Sequence, residues 1–248
     1  MTNEIHCATA SVAATFDLGR VAHLTGVPAP SSDLPALVRR YRSARSAVVV
    51  HALQAWLQDA GADLPAPERR GIVLGTETGA GPDIDEFLDE SIRRGDHLVN
   101  PALFPMTVHN AAAGNAAIAA QCRGPSVVVS AGTDSVWSAL DTARALLVDG
   151  SADLVFVGGF ESRPLPDGTT GTVAAFTALS TDQAAFGKRH LGPLDAQSHR
   201  IGVASGPGLR QAGDGGGMAA LVGFANAFTP EPVAAGVAGS VAAGAVPR

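Results

Sequence analysis

Cysteine and lysine are scarce in this sequence of 248 residues. Its two cysteines, Cys7 and Cys122, lie far apart and outside any Cys-x-x-Cys spacing, which argues against a disulfide framework and a zinc knuckle. No cluster of His, Cys, Asp and Glu has the spacing of metal ligands, so we expect no metal site. The glycine-rich stretch 75–81 lacks the lysine of a phosphate loop and the spacing of a dinucleotide-binding motif, so we expect a turn there and no cofactor.

Positive charge is also in deficit. The 17 Lys and Arg residues are outnumbered by 23 Asp and Glu residues, which gives a net charge of −6 at pH 7. This is the wrong sign for a protein that binds nucleic acid by neutralising phosphates. No basic segment followed by an uninterrupted apolar one opens the sequence, and no stretch of about 18 uncharged apolar residues stands out. We therefore expect a cytoplasmic protein without a nucleic-acid or membrane partner.

Apolar residues, in contrast, make up 46% of the chain, enough for a core of ordinary domain size. Residues 39–60 repeat apolar side chains at helical spacing and predict a core-facing helix that ends at Gly61. The short apolar run 71–75 predicts a buried strand. Residues 82–94 begin with proline and acidic residues and end with two arginines, which predicts a helix closed by Gly95.

The middle of the chain carries the clearest alternation of elements. The alanine-rich stretch 110–123 predicts a helix that Gly124 and Pro125 stop, and the β-branched run 126–130 predicts a strand. A second periodic helix follows, and 154–159 reads as another buried strand. Strand, helix and strand in this order form a βαβ unit with a right-handed crossover, so we expect an α/β fold.

The remaining segments complete the predicted organisation. The apolar run 218–224 suits one more strand, whereas 229–248 has no periodicity and is predicted to be a flexible tail. No repeat or linker divides the chain, so residues 1–228 are predicted to form a single domain.

A tight turn follows the predicted strand 126–130 and leads into the next helix. In α/β enzymes such a turn often carries a nucleophile, because backbone N–H groups at a helix N-terminus stabilise an oxyanion and lower the pKa of a thiol. Ser130, Thr133 and Ser135 could each supply a hydroxyl nucleophile here. No neighbouring base is identifiable and no G-x-S-x-G motif is present, so we interpret them as caps and turn residues.

Short motifs flank this turn on both sides. They are Asn100-Pro101, Phe104-Pro105, Asn110–Gly114 and Gly124-Pro125 upstream, and Val157–Glu161 and Phe176–Ser180 downstream. In order and spacing, from about Arg39 to Ser180, they resemble the β-ketoacyl synthases of the thiolase superfamily. Where that family carries its nucleophilic cysteine, this chain has Gly132.

The resemblance implies a thiolase-like layered fold, a mixed sheet between helices, with only the N-terminal half of a ketosynthase. The histidines and lysine of the family's second half have no counterpart. Because a glycine cannot form a thioester, ketosynthase chemistry is excluded at Gly132, and we expect no catalytic residue. In this family, the non-catalytic subunits are the chain-length factors of type II polyketide systems. The shortened chain is similar to the chain-length-factor-like proteins of polyene-building systems.

We therefore expect a non-catalytic subunit that forms a heterodimer with an active ketosynthase and bounds the acyl tunnel during elongation. Its partners would be that ketosynthase and, transiently, an acyl carrier protein. The resemblance implies pairing through one strand, with interface residues Ser126, Val127, Val128, Val129 and Ser130. Residues predicted to line the tunnel are Phe104, His109, Ala112, Asn115 and Ile118.

Two other functions stay open from the sequence. One is a stand-alone α/β acyl-transfer enzyme that uses a hydroxyl nucleophile at the turn. The other is a ketosynthase-derived structural or binding homodimer. The arginine cluster Arg39, Arg40, Arg42 and Arg45 is interpreted as a solvated helix end, with contact to an acidic acyl carrier protein as the alternative.

Overall fold

The computed structural model describes residues 4–8, 11–17, 20–23, 40–41, 43–60, 63–164, 170–182, 184–186, 190–194, 220–221, 223–225 and 228. The strands are β1 (His6–Ala8), β2 (Ser11–Asp17), β3 (Arg20–His23), β4 (Arg70–Gly75), β5 (Ser126–Val129), β6 (Leu154–Pro164), β7 (Thr170–Ser180) and β8 (His190–Pro193). The α-helices are α1 (Ala44–Ala60), α2 (Gly81–Arg94), α3 (Ala111–Ala119) and α4 (Ser135–Val148). Single 3-10 turns lie at Pro67–Arg69, Asp96–Leu98 and Phe104–Met106.

All eight described strands join one mixed sheet, in the order β3-β2-β7-β6-β4-β5, with β1 pairing β7 and β8. Strand β4 is parallel to both β5 and β6, whereas β6 and β7 are antiparallel. The βαβ prediction is confirmed in its elements, but β5 and β6 do not touch, because β4 lies between them. Strand β5 ends this order and pairs, within the described residues, with β4 alone.

Helices cover both faces of the sheet, which confirms the layered α/β prediction. Helices α1 and α3 pack on one face and α4 packs on the other. The strands supply alternate side chains to the two cores: in β4, Ile72 and Leu74 join the α1 side, while Val73 joins the α4 side. Two apolar cores therefore fix the register of each central strand.

The α4 layer contains a short helical segment where the sequence predicts a strand. Residues 220–221 and 223–225 are helical, so the strand predicted at 218–224 is wrong. Leu221, Phe224, Ala225 and Phe228 are buried in the same core, and their spacing of three, four and seven residues is the helical period.

Two helix ends also differ from the predicted bounds. Arg40 and Tyr41 are helical as predicted, but Ser43 is not, so helix α1 begins at Ala44. The Ser43 hydroxyl accepts a hydrogen bond from the Ser46 N–H at 3.1 Å and caps the first turn of α1. Helix α3 ends at Ala119, before the predicted stop. Gln121 has a φ of 53°, and the Cys122 N–H donates to Ala117 O at 2.8 Å, the closing bond of a Schellman turn.

The remaining helix and strand predictions are confirmed, with no end more than five residues from its predicted position. The predicted tail 229–248 lies outside the described residues. None of the helices described is long and apolar enough to cross a membrane.

Candidate functional site

The turn between β5 and α4 is the candidate site, and it lies where the carboxyl ends of parallel strands meet. Gly75 at the end of β4 is in register with Val129 on β5 and with Gly159 on β6. The five residues 130–134 are all exposed. Gly132 has a φ of +60°. Apart from its chain neighbours, no atom lies within 4 Å of the place where a Cβ would be, so the space in front of Gly132, the residue predicted to replace a nucleophile, is open.

The hydroxyl of Ser135 closes this turn. It accepts a hydrogen bond from the Ala131 N–H at 2.8 Å and donates one to Gly132 O at 2.6 Å. Its proton is thus held by a backbone carbonyl, not by a base. The structure supports the interpretation of Ser135 as a turn residue, whereas Ser130 and Thr133 are exposed at the surface.

The loop that follows β4 runs beside the turn and is held by a buried carboxylate. Glu161 on β6 is only 4% exposed. It accepts hydrogen bonds from the N–H groups of Glu77 and Thr78 at 2.6 and 3.1 Å and from the Thr78 hydroxyl at 2.9 Å. The glycine-rich stretch is thus a structural turn, as predicted. Burial raises the pKa of Glu161, and these hydrogen bonds oppose that shift.

The raised pKa of Glu161 makes stability pH-dependent. Because the folded state binds the Glu161 proton more tightly than the unfolded state, this contribution is complete below the ordinary value of 4.5 and is lost as pH rises through the folded pKa. We expect wild type to lose stability relative to Glu161→Gln as pH rises through that window, because the amide does not ionise. Urea unfolding of both proteins across that pH window measures this, and parallel stability curves would contradict it.

An ion pair that sequence reasoning missed lies on the other side of the same loop. Arg45, interpreted as part of a solvated helix end, is instead 2% exposed and pairs with Asp83 on α2. That interpretation is therefore wrong for Arg45. The signal was present in the sequence, because Arg45 falls between Tyr41 and Val48 on the apolar stripe of the helix. A charge at a core position requires a buried partner.

The five predicted tunnel residues do not share one surface in this chain. Ala112 is fully buried in the core beneath α1, whereas Phe104 is 61% and Ile118 is 72% exposed. Asn115 is half-buried, with Nδ2 3.9 Å from the sulfur of Met106. Exposed His109 fills the space beside Gly79. Whether these residues line a tunnel stays a prediction.

The predicted interface residues occupy the edge strand β5 and the residue after it. Val128 packs partly against the α1 core, and Val127 and Val129 pack partly against the α4 core. Ser126 and Ser130 are exposed. The strand is therefore fixed in its own sheet by three half-buried valines while its outer edge is unpaired by any described strand.

Neither cysteine has the environment of a nucleophile. Burial raises the pKa values of Cys7 and Cys122 to about 11 each, so both thiols stay protonated at neutral pH. Among the described residues, no group of three or more His, Cys, Asp or Glu side chains is placed to hold a metal ion.

Comparison with known proteins bears on the same region. The family model "Beta-ketoacyl synthase, N-terminal domain" matches residues 43–198, more than half of the chain. The chain is 31% identical over 127 residues to the 3-oxoacyl-[acyl-carrier-protein] synthase 2 of Vibrio cholerae, a match that covers 50% of this chain and 30% of that protein.

Two solved structures have a similar fold. One is the ishigamide ketosynthase/chain length factor, with a TM-score of 0.54 and 20% identity over 74% of this chain and 64% of that one. The other is a β-ketoacyl synthase from Burkholderia phymatum, with a TM-score of 0.50 and 16% identity over 71% and 59%. The chain thus matches less than two thirds of each of these relatives.

Proposed function

The chain belongs to the β-ketoacyl synthase family, and we propose that it acts as a non-catalytic, chain-length-factor-like subunit. In this proposal it pairs with an active ketosynthase, contacts an acyl carrier protein transiently and borders the acyl tunnel during type II polyketide synthesis, with polyenes as the product class. The similarity to a ketosynthase/chain length factor structure is one of fold alone. The proposal therefore rests on the residues of this chain.

Gly132 is the observation that carries the proposal. Acyl transfer by the family's route forms a thioester on a side chain at this turn, and glycine has none. The Ser135 hydroxyl, which lies at this turn, donates a hydrogen bond to the Gly132 carbonyl. Because no described cysteine lies in the turn and both described thiols are protonated, we infer that this subunit does not hold the acyl chain covalently.

The outer edge of β5, which no described strand covers, supports the pairing. Ile72 N–H donates to Pro125 O at 2.8 Å, and Thr76 N–H donates to Val129 O at 3.0 Å. In a parallel strand the N–H and C=O of one residue face the same neighbour and successive residues alternate, so the N–H and C=O groups of Ser126 and Val128 point away from β4. An unpaired edge with half-buried valines is an aggregation hazard that a partner strand would remove.

Large apolar side chains left in the open support the tunnel role. Phe104 is 61% and Ile118 is 72% exposed in the single chain, so both side chains are accessible to a partner or to an acyl chain. We propose that they, with His109 and Asn115, limit the length of the acyl chain. Ala112 would contribute only from behind, because it is fully buried against α1.

Acyl loading tests the proposal. The chain alone, and the chain co-expressed with its ketosynthase, are each incubated with octanoyl-loaded acyl carrier protein and examined by intact-mass spectrometry. We expect a stable pair in which the octanoyl mass appears on the ketosynthase and never on this chain. An octanoyl adduct on the isolated chain, or failure of the two proteins to co-purify, would contradict the proposal.

A further inference from the structure

Arg45 is a buried cation with three acceptors, the carboxylate of Asp83 and the backbone carbonyls of Gly79 and Met106. Its guanidinium forms an ion pair with Asp83 and donates to Gly79 O, and Nη2 donates to Met106 O at 2.9 Å. The guanidinium carbon also lies 5.6 Å from the centre of the Phe160 ring. Such a set of contacts is suited to arginine, whose planar fork of donors serves several acceptors at once, and not to the single ammonium of lysine.

All three acceptors belong to one long connection, residues 76–110, which links β4 to α3 and adds no strand to the sheet. Within it, Met106 lies two residues after Phe104 and three before His109. The Met106 sulfur is 3.9 Å from both Ser46 Oγ on α1 and Asn115 Nδ2 on α3. Met106 therefore joins the 104–109 segment to α1 and α3, while Phe104 at its start packs on Phe87 of α2, with ring centres 5.9 Å apart.

We infer that Arg45 is the positioning residue that fixes the 104–109 segment, and through it the limit that this subunit sets on acyl-chain length. The second part rests on the proposed function. Arg45 acts from behind the segment, because it is buried and does not face the surface where Phe104 is exposed. Its role is to keep Phe104 and His109 in a fixed position relative to α1 and α3, and Asp83 neutralises its charge.

A double variant separates positioning from folding. Arg45→Met combined with Asp83→Leu removes both charges, and replacing a buried ion pair by apolar residues is often neutral for stability. The two bonds to Gly79 O and Met106 O are lost as well. Hydrogen exchange is measured at the Met106 and Thr107 N–H groups, which donate to Leu103 O and Phe104 O, with the Ser138 N–H in α4 as reference.

We expect exchange at Met106 and Thr107 to accelerate at least about tenfold while exchange at Ser138 stays unchanged. In the co-purified pair, the products should spread over more chain lengths. Unchanged exchange at Met106 in a folded double variant would overturn the inference, and faster exchange with an unchanged product distribution would overturn its second part. Should the double variant not fold, Arg45→Lys keeps a charge for Asp83 and is held to the same criteria.

Pairing and hydrogen exchange distinguish a failure of the proposed function from a failure of the positioning role of Arg45. If wild type forms no pair with the ketosynthase, the proposed function fails, whereas the exchange measurement on the isolated chain still decides whether Arg45 holds the 104–109 segment.

Discussion

Replacing Val128 with proline is expected to reduce co-purification with the ketosynthase at least about tenfold while leaving the fold of this chain intact. The Val128 N–H faces the edge of β5 that no described strand covers, as the bonds from Ile72 and Thr76 to Pro125 and Val129 require. Proline removes that donor and places its ring where a partner strand would lie, but it spares the ladder to β4. A tenfold loss corresponds to about 1.4 kcal/mol, close to one hydrogen bond.

Val128→Ala is the matched control. It keeps the N–H and loses only the contacts that the side chain makes with the α1 core, so we expect a small loss of stability and normal pairing. Pull-down of a tagged ketosynthase from co-expressing cells, with circular dichroism on the isolated variants, measures both quantities. Equal recovery of the proline and alanine variants would show that β5 is not the pairing strand.

The sequence predicts much of this fold because most of its elements have a clear helical or strand period. The β-branched run before the turn, Gly95 after α2 and Gly150 after α4 mark bounds that the structure keeps closely, whereas α3 ends five residues before Gly124. The run around Leu221 and Phe224 fails because a short apolar stretch suits a buried strand or a buried helix equally well. The buried residues Ala225 and Phe228, one and two helical turns beyond Leu221, resolve that ambiguity.

The site was predictable in its position and only partly in its contacts. Spacing alone places Gly132 between a strand and a helix, and the structure has it there. The hydrogen bond from Thr78 to Glu161 joins residues that are 83 apart in sequence, and no local pattern predicts such a pair. Arg45 stands on an apolar stripe, which indicates a buried charge but does not identify Asp83 as its partner.

The second large effect is expected from Gly75→Ala, at the end of β4. A Cβ at this position would lie 2.3 Å from Ser135 O and 2.5 Å from Val136 N, both backbone atoms of the first turn of α4. Backbone cannot swing aside as a side chain can, so α4 must lift from the strand ends. Overpacking of this kind costs about 3 kcal/mol, a fall in Tm of roughly 6 to 12 °C.

Gly114→Ala separates this clash from the general effect of adding a methyl group. Gly114 lies inside α3, and no atom lies within 4 Å of the place where its Cβ would be, so alanine should stabilise the chain by about 0.5 to 1 kcal/mol through helix propensity. If α4 rests directly on Gly75, calorimetry shows a lower Tm for the Gly75 variant and a higher Tm for the Gly114 variant.

Because the turn carrying Gly132 is tied to Ser135, the Gly75 variant should also speed hydrogen exchange at the Ser135 N–H, which donates to Gly132 O at 3.2 Å. A Gly75 variant as stable as wild type would mean that the helix does not seat the turn.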